Sequence, residues 1–389
     1  MARIVNIIER TVSLASGMSN AGISFDTMTA SAVVLVSDQL RNGKPLVGLA
    51  FDSIGRYGHG ALLQERFIPR ILQASPESYG AAAGAGIDPF KLWALMMKNE
   101  KAGGHGERAG AVGLLDAAAW DLQAKIEHKP LWALLNERFP GARQPSRTAI
   151  YASGGHYRPG VGAKGLADEI ARYQDQGYRR FKIKTGALSI AEDQQRIEAV
   201  IRTLGDNASA LSVDFNGCLA EHNALPWLEA LQPYGLAWLE EPVEALDYQL
   251  LAHCARHSQT PVSTGENLFS LADTRNLLRY GGLRPGRDML NVDISLGYGI
   301  VEYTRIIELM ATLGWNKSAC IPHAGHLLAA HAAAGLGLGG HETAPAHPLL
   351  GPYPNDYRVV DGYLQLGDKP GVGLEHMPGL QRLFTEMIP

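Results

Sequence analysis

Seven side chains able to hold a cation or move a proton recur at regular intervals along the chain: Lys182, Lys184, Asp214, Glu240, Glu266, Asp293 and His323. From Lys184 onward the separations are 30, 26, 26, 27 and 30 residues. Asp214, Glu240 and Glu266, if brought to one place, are like charges that repel one another unless protonated or bridged by a cation. With no His or Cys among them, the donors are hard oxygens, which favours Mg2+, with Mn2+ the alternative.

Lys182 and Lys184 stand two apart, so a regular strand points both to the same face. Two ammonium groups held close oppose each other's charge, which predicts a lowered pKa and a lysine able to act as a base. Lys184 is the residue assigned to proton abstraction, and Lys182 supplies positive charge beside a substrate carboxylate. His323, in the run IPHAGH, can donate a proton near neutral pH. Asp293, one unit earlier, would set its tautomer and favour the imidazolium. His326, three residues on, reads as a structural or supporting residue. Any one of these charges alone would pass for a solvated strand end; the near-constant spacing of the set argues otherwise.

Short β-type runs carry these residues: RRFKIKT (179 to 185), ALSVDFN (210 to 216), LAWLE (236 to 240), PVSTGEN (261 to 267), MLNVDIS (289 to 295) and SACIPH (318 to 323), with RTAIYAS (147 to 153) ahead of them. Helical segments such as 188 to 203 and 299 to 313 fall between. Seven candidate strands with crossovers favour a TIM-type barrel, whose strand ends converge on one mouth. Upstream, AVVLVSDQL (32 to 40) and PLVGLAFD (45 to 52) read as strands around a turn at Gly43, and 89 to 134 reads as helical. That order describes a smaller α+β domain.

The 389 residues suit one large barrel with an accessory domain, and 46% apolar content predicts a sizeable core. With 35 basic and 39 acidic side chains, the net charge of -4 gives no electrostatic footprint for nucleic acid or an anionic membrane. Cys218, Cys254 and Cys320 lie far apart and form no disulfide framework or metal knuckle, so a reduced, cytoplasmic protein is expected. Glu9 and Arg10 interrupt the opening run before it could serve as a signal peptide. The apolar stretch 327 to 340 contains His331 and falls short of the roughly 20 residues of a membrane span. Within it, GLGLGG (335 to 340) lacks the strand-turn-helix setting of a dinucleotide fingerprint.

Taken in order, the K-x-K of FKIK, the D-x-N of VDFN, the W-x-E-E-P of WLEEP and the G-E-N of TGENLF, followed by Asp293 and His323, resemble the enolase superfamily in its mandelate racemase branch. The resemblance spans essentially the whole chain. It implies an α/β fold with an N-terminal α+β capping domain over residues 1–140 and a modified TIM barrel, (β/α)7β, over 141–354. The tail 355–389 is a candidate to complete the cap. The resemblance also implies Mg2+ held by Asp214, Glu240 and Glu266, with the first Glu of WLEEP chosen over Glu241. It further places Asn216 and Glu342, the latter in GGHETAP, beside the substrate.

A narrower likeness to the D-tartrate dehydratases is carried by SIGRYGHG (53 to 60), MMKNEKAGGHGER (96 to 108), TGENLFSLADTRNLLRYGGLRPGRD (264 to 288) and CIPHAGH (320 to 326). It implies a hydro-lyase that converts D-tartrate to oxaloacetate, with Asn20, Arg56, Tyr57 and Lys101 reaching the distal part of the substrate from the cap. The Gly-rich stretch 102 to 106 would close as a lid. The partner expected is a small carboxylated polyhydroxy acid, in a homo-oligomer, dimer or octamer. The alternatives are a dehydratase of a longer aldarate or aldonate, a racemase or epimerase of a hydroxy acid, and a non-catalytic barrel that binds a metal or a carboxylated metabolite.

Overall fold

The computed structural model describes residues 2–82 and 86–389. Three antiparallel strands, β1 (Ile4–Ser13), β2 (Thr29–Arg41) and β3 (Lys44–Phe51), form the first sheet in that order. The β2–β3 hairpin turns at Asn42 and Gly43, both at positive φ, as a two-residue turn matched to strand twist requires. Ala30 and Ala32 to Leu35 of β2 are buried, because a long helix, α1 (Glu107–Ile126), covers this sheet. That helix is buried almost throughout and carries many small residues, since both its faces meet protein. On the sheet side, a Cβ at Gly48 would lie 1.9 Å from Ala118 O; on the other, a Cβ at Gly113 would lie 1.8 Å from Ser295 O. The helix therefore joins cap to barrel by backbone contact.

The barrel begins with β4 (Arg147–Gly154) and continues through β5 (Phe181–Lys184), β6 (Leu211–Asp214), β7 (Leu239–Glu240), β8 (Val262–Thr264) and β9 (Met289–Leu290), each parallel to the last. A parallel bridge from Leu290 to Cys320 supplies the next stave, and Gly339 N donates to Cys320 O. The last strand, β10 (His341–Thr343), pairs parallel with β4 and closes the ring. Helices Ala163–Asp175, Ile190–Thr203, Ala224–Leu231, Tyr248–His257, Leu271–Tyr280, Gly299–Thr312 and Leu327–Leu336 fill the crossovers. This is the modified TIM barrel expected, with an antiparallel capping sheet in front of it.

Two strands are shorter than their sequence runs. In MLNVDIS pairing stops at Leu290, because the Asp293 side chain accepts a bond from Leu296 N at 2.8 Å and turns the chain. In SACIPH pairing is confined to the bridge at Cys320. The tail also divides. Its hairpin, β11 (Arg358–Val360) and β12 (Tyr363–Gln365), pairs with barrel strand β4, whereas the residues after it bond to the cap. Val372 N donates to Asp121 at 2.6 Å, Glu375 pairs with Lys125 at 2.7 Å and Glu386 with Arg10 at 2.9 Å. Among the described residues no helix is long and apolar enough to cross a membrane.

Candidate active site

Sheet register sets the site. Lys184 lies beside Asp214, and Asp214 beside Glu240, as neighbours across β5, β6 and β7. Glu266 follows β8 by two residues, so all four side chains meet at the C-terminal mouth. Ligand atoms of Asp214, Glu240 and Glu266 all lie within 4.8 Å of one another, and the three residues are buried. Glu266 Oε2 is enclosed without a hydrogen-bond partner. Three buried carboxylates with an unspent oxygen fit a small divalent cation with hard-donor preference, and this is a Mg2+-type site. Glu241, next in sequence, faces elsewhere: it adopts φ +36° and accepts from Asn267 Nδ2 at 2.8 Å.

Both lysines are bound to these carboxylates. Lys184 Nζ lies 2.6 Å from Asp214 Oδ2. Lys182 Nζ contacts Glu240 and lies 3.0 Å from Glu342 Oε1 and 3.5 Å from Asp214 Oδ2. Burial alone would lower both ammonium groups, yet the surrounding negative charge prevails and holds each above the ordinary lysine value. The lowering expected from their mutual repulsion is thus outweighed, Asp214 being the strongest support for Lys184 and Glu240 for Lys182. Trp238, two residues before Glu240 and on the same face, donates to Glu240 Oε2 at 2.9 Å. Asn216 donates its backbone N–H to Asp214 Oδ1 at 2.9 Å.

Across the mouth, His323 Nδ1 lies 2.9 Å from Asp293 Oδ2, and Nε2 lies 3.7 Å from Glu266 Oε1. Burial opposes the charged imidazole, but Glu266 and the Asp293 bond raise it to about 10. Asp293, despite complete burial, is held well below the carboxylate range, chiefly by its hydrogen bond with His323. An imidazolium aimed at the metal cluster can donate a proton there.

A cavity of ≈ 390 Å³ lies over this floor. Lys184, Glu266, His323, Asn216 and Glu342 line it from the barrel; Asn20, Arg56 and Tyr57 line it from the cap. Asn20 spends its side-chain oxygen on Gly22 N and Ile23 N, both at 2.9 Å. Arg56 donates to Asn267 Oδ1 at 2.8 Å and lies over the Phe269 ring at 4.7 Å. Lys182, Asp214, Glu240 and Asp293 sit beneath the surface of the cavity. Lys101 is not brought to it: the side chain is exposed, and Arg108 fixes the Lys101 carbonyl at 2.9 Å. The same arginine binds Gly103 O at 2.6 Å, so the Gly-rich loop lies over an adjoining cavity that shares Arg56, Asn216 and Asn267 with the first.

The motifs WLEEP, TGENLF and SIGRYGHG contain Trp238, Asn267 and Ser53 but give them no role, and His156 stands outside every motif. His156 lines the cavity just beyond β4, with its Nδ1 buried and unpartnered. Its position after the first barrel strand, analogous to the chosen strand ends, was the available signal. Burial, with Lys184 nearby, lowers His156 to about 3, so the ring is neutral.

Comparison with known proteins agrees with this architecture. Residues 165–378 match the family described as enolase C-terminal domain-like. A 3,6-anhydro-alpha-L-galactonate cycloisomerase of Streptomyces coelicolor is 30% identical over 299 residues, 76% of this chain and 78% of its own. An arabinonate dehydratase of Saccharolobus solfataricus is 26% identical across 72% of this chain and 74% of its own. The crystal structure of an L-talarate dehydratase from Polaromonas sp. JS666, complexed with Mg and L-glucarate, superposes with a TM-score of 0.78 at 25% identity, covering 98% of this chain and 97% of that one. The chain belongs to the enolase superfamily, in its mandelate racemase and muconate lactonizing branch.

Proposed function

We propose that this protein is a Mg2+-dependent dehydratase of a small sugar acid, a 2,3-dihydroxy carboxylate of the aldonate or aldarate kind. The observation that carries the reading is that Lys184 and His323 line one cavity, with the carboxylate cluster between them in strand order. Lys184 Nζ removes the proton on the carbon next to the carboxylate, and that C–H pair becomes the new C=C bond. The β C–O bond breaks as His323 Nε2 gives its proton to the departing hydroxyl, which leaves as water. The enol so formed tautomerises to a 2-keto-3-deoxy acid. When bound, Mg2+ takes up carboxylate charge that otherwise holds the lysines protonated, and as a Lewis acid stabilises negative charge on the substrate carboxylate. Asp293 keeps the His323 tautomer, and Lys182 contributes fixed positive charge beneath the same site.

Similarity to enzymes of five- and six-carbon acids supports the sugar-acid class. D-tartrate, giving oxaloacetate, is the narrower candidate, supported by the cap motif SIGRYGHG, which puts Arg56 and Tyr57 at the cavity. Racemisation would have His323 exchange a proton with carbon instead of giving it to the departing hydroxyl. The test is keto-acid formation with Mg2+ from a panel of aldonates, aldarates and the three tartrates. Product from one or a few of these supports the dehydratase, and α-epimerisation without water loss points instead to the racemase.

A further inference from the structure

Four candidate donors surround the Asp293 carboxylate, and it bonds three of them. Oδ2 accepts from His323 Nδ1 at 2.9 Å and from Ser53 Oγ at 2.5 Å, and Oδ1 accepts from Leu296 N at 2.8 Å. His326 Nε2 waits 3.7 Å from Oδ1, outside hydrogen-bond reach, buried and with no partner. Its other nitrogen, Nδ1, accepts from Ala329 N at the start of the helix Leu327–Leu336, so the hydrogen-bond network assigns the ring proton to Nε2. A buried donor this close to a carboxylate gains by capturing it. Any turn of Asp293 towards His326 draws Oδ2 away from His323.

Ser53 is the contact that opposes this turn. It lies just after β3, is fully buried, and comes from the cap, whereas the two histidines come from the barrel. Its own position is fixed: Ser53 N donates to Asp52 Oδ1 at 3.0 Å, and Asp52 Oδ2 pairs with His59 Nδ1 at 2.7 Å. We propose that Ser53 is a positioning residue whose hydroxyl commits the Asp293 carboxylate to His323 and withholds it from His326. Docking of the cap thereby orients the proton donor of the barrel. The consequence for turnover rests on the reading of His323 as general acid; the geometry does not.

The experiment compares Ser53→Ala, Ser53→Thr and the double variant Ser53→Ala/His326→Asn. Asn keeps a helix-capping oxygen at 326 but is shorter than His. With a substrate that the wild type dehydrates, water loss and α-deuteration are followed together in D2O. Ser53→Ala should lower water loss about ten- to a hundredfold, the weight of one hydrogen bond to a charged group, with α-deuteration through Lys184 falling less. Ser53→Thr, which keeps the hydroxyl, and the double variant, which removes the competitor, should both recover most of the loss. Undiminished water loss in Ser53→Ala, or a double variant no better than the single, overturns the proposal. If the wild type dehydrates nothing, the functional reading falls, and a crystal structure of Ser53→Ala still decides the positioning. Asp293 turned onto His326 supports it, and Asp293 unmoved refutes it.

Discussion

Glu342 Oε1 lies 3.0 Å from Lys182 Nζ, so a carboxylate outside the metal cluster shares this lysine with two of the cluster's own, Glu240 and Asp214. Lys182 is thus held between Glu240 and Glu342. A cation bound through Glu240 leaves Glu342 as the remaining anchor. Glu342→Gln should therefore lower kcat/KM by about ten- to a hundredfold, as loss of a charged hydrogen bond implies. Mg2+ affinity should change far less than in Glu240→Gln. Steady-state kinetics beside calorimetric Mg2+ titration of both variants checks this; equal losses of Mg2+ affinity would contradict it.

Metal binding should be visible without any substrate. A ligand that binds only the folded state stabilises it by about 2.7 kcal/mol at a hundred times its Kd. Mg2+ should raise the thermal midpoint in a dose-dependent way, and EDTA should reverse the rise. In Asp214→Asn the response should vanish, because a neutral amide replaces one of three anionic donors. A midpoint indifferent to Mg2+ in the wild type would count against the cluster as a cation site.

Much of this site was legible because a βα unit has a nearly fixed length. Asp214, Glu240 and Glu266 recur at that length, and a barrel brings equivalent unit ends together, so their convergence follows from spacing. Ser53 was hidden for the converse reason: its partner is 240 residues away on the other domain, and no local pattern links them. The lysine pair shows a different gap. Counting only Lys182 against Lys184 predicts a lowered pKa, but their charges are set by carboxylates from three other strands, which a two-residue argument omits. Lys101 has its place in a motif, but no local pattern sets the exposure of its side chain or the bond from Arg108 to its carbonyl.

The cap helix meets the barrel where no side chain fits. A methyl group at Gly113 would lie 1.8 Å from Ser295 O, two residues from Asp293. Gly113→Ala must push the helix or the 293–297 turn aside. An overpacked backbone contact costs about 1–3 kcal/mol. The variant should unfold at lower denaturant and lose turnover beyond what the stability change accounts for. Wild-type stability with wild-type kinetics would show that the interface is looser than described.

His59 predicts a pH effect on folding that is separate from catalysis. Burial would lower its imidazole, but the Asp52 hydrogen bond and the neighbouring Glu107 carboxylate raise it from 6.5 to about 9. A raised histidine binds its proton more tightly when folded, so its contribution is fully present below about pH 6.5. It fades as the pH rises through about 9. Melting temperature should decline between those limits in the wild type and decline less in His59→Gln, whose side chain cannot titrate. Parallel curves for the two proteins would remove His59 as the cause.

The central claim is that Lys184 takes the α-proton and His323 expels the hydroxyl. The most direct measurement is NMR of wild type, Lys184→Ala and His323→Asn in D2O with Mg2+ and an acid that the wild type converts, following α-deuteration and keto acid in the same tube. Keto acid is expected from the wild type, neither signal from Lys184→Ala, and α-deuteration with keto-acid formation lowered at least about a hundredfold in His323→Asn, as loss of a general acid implies. Keto acid formed at the wild-type rate by either variant would contradict it.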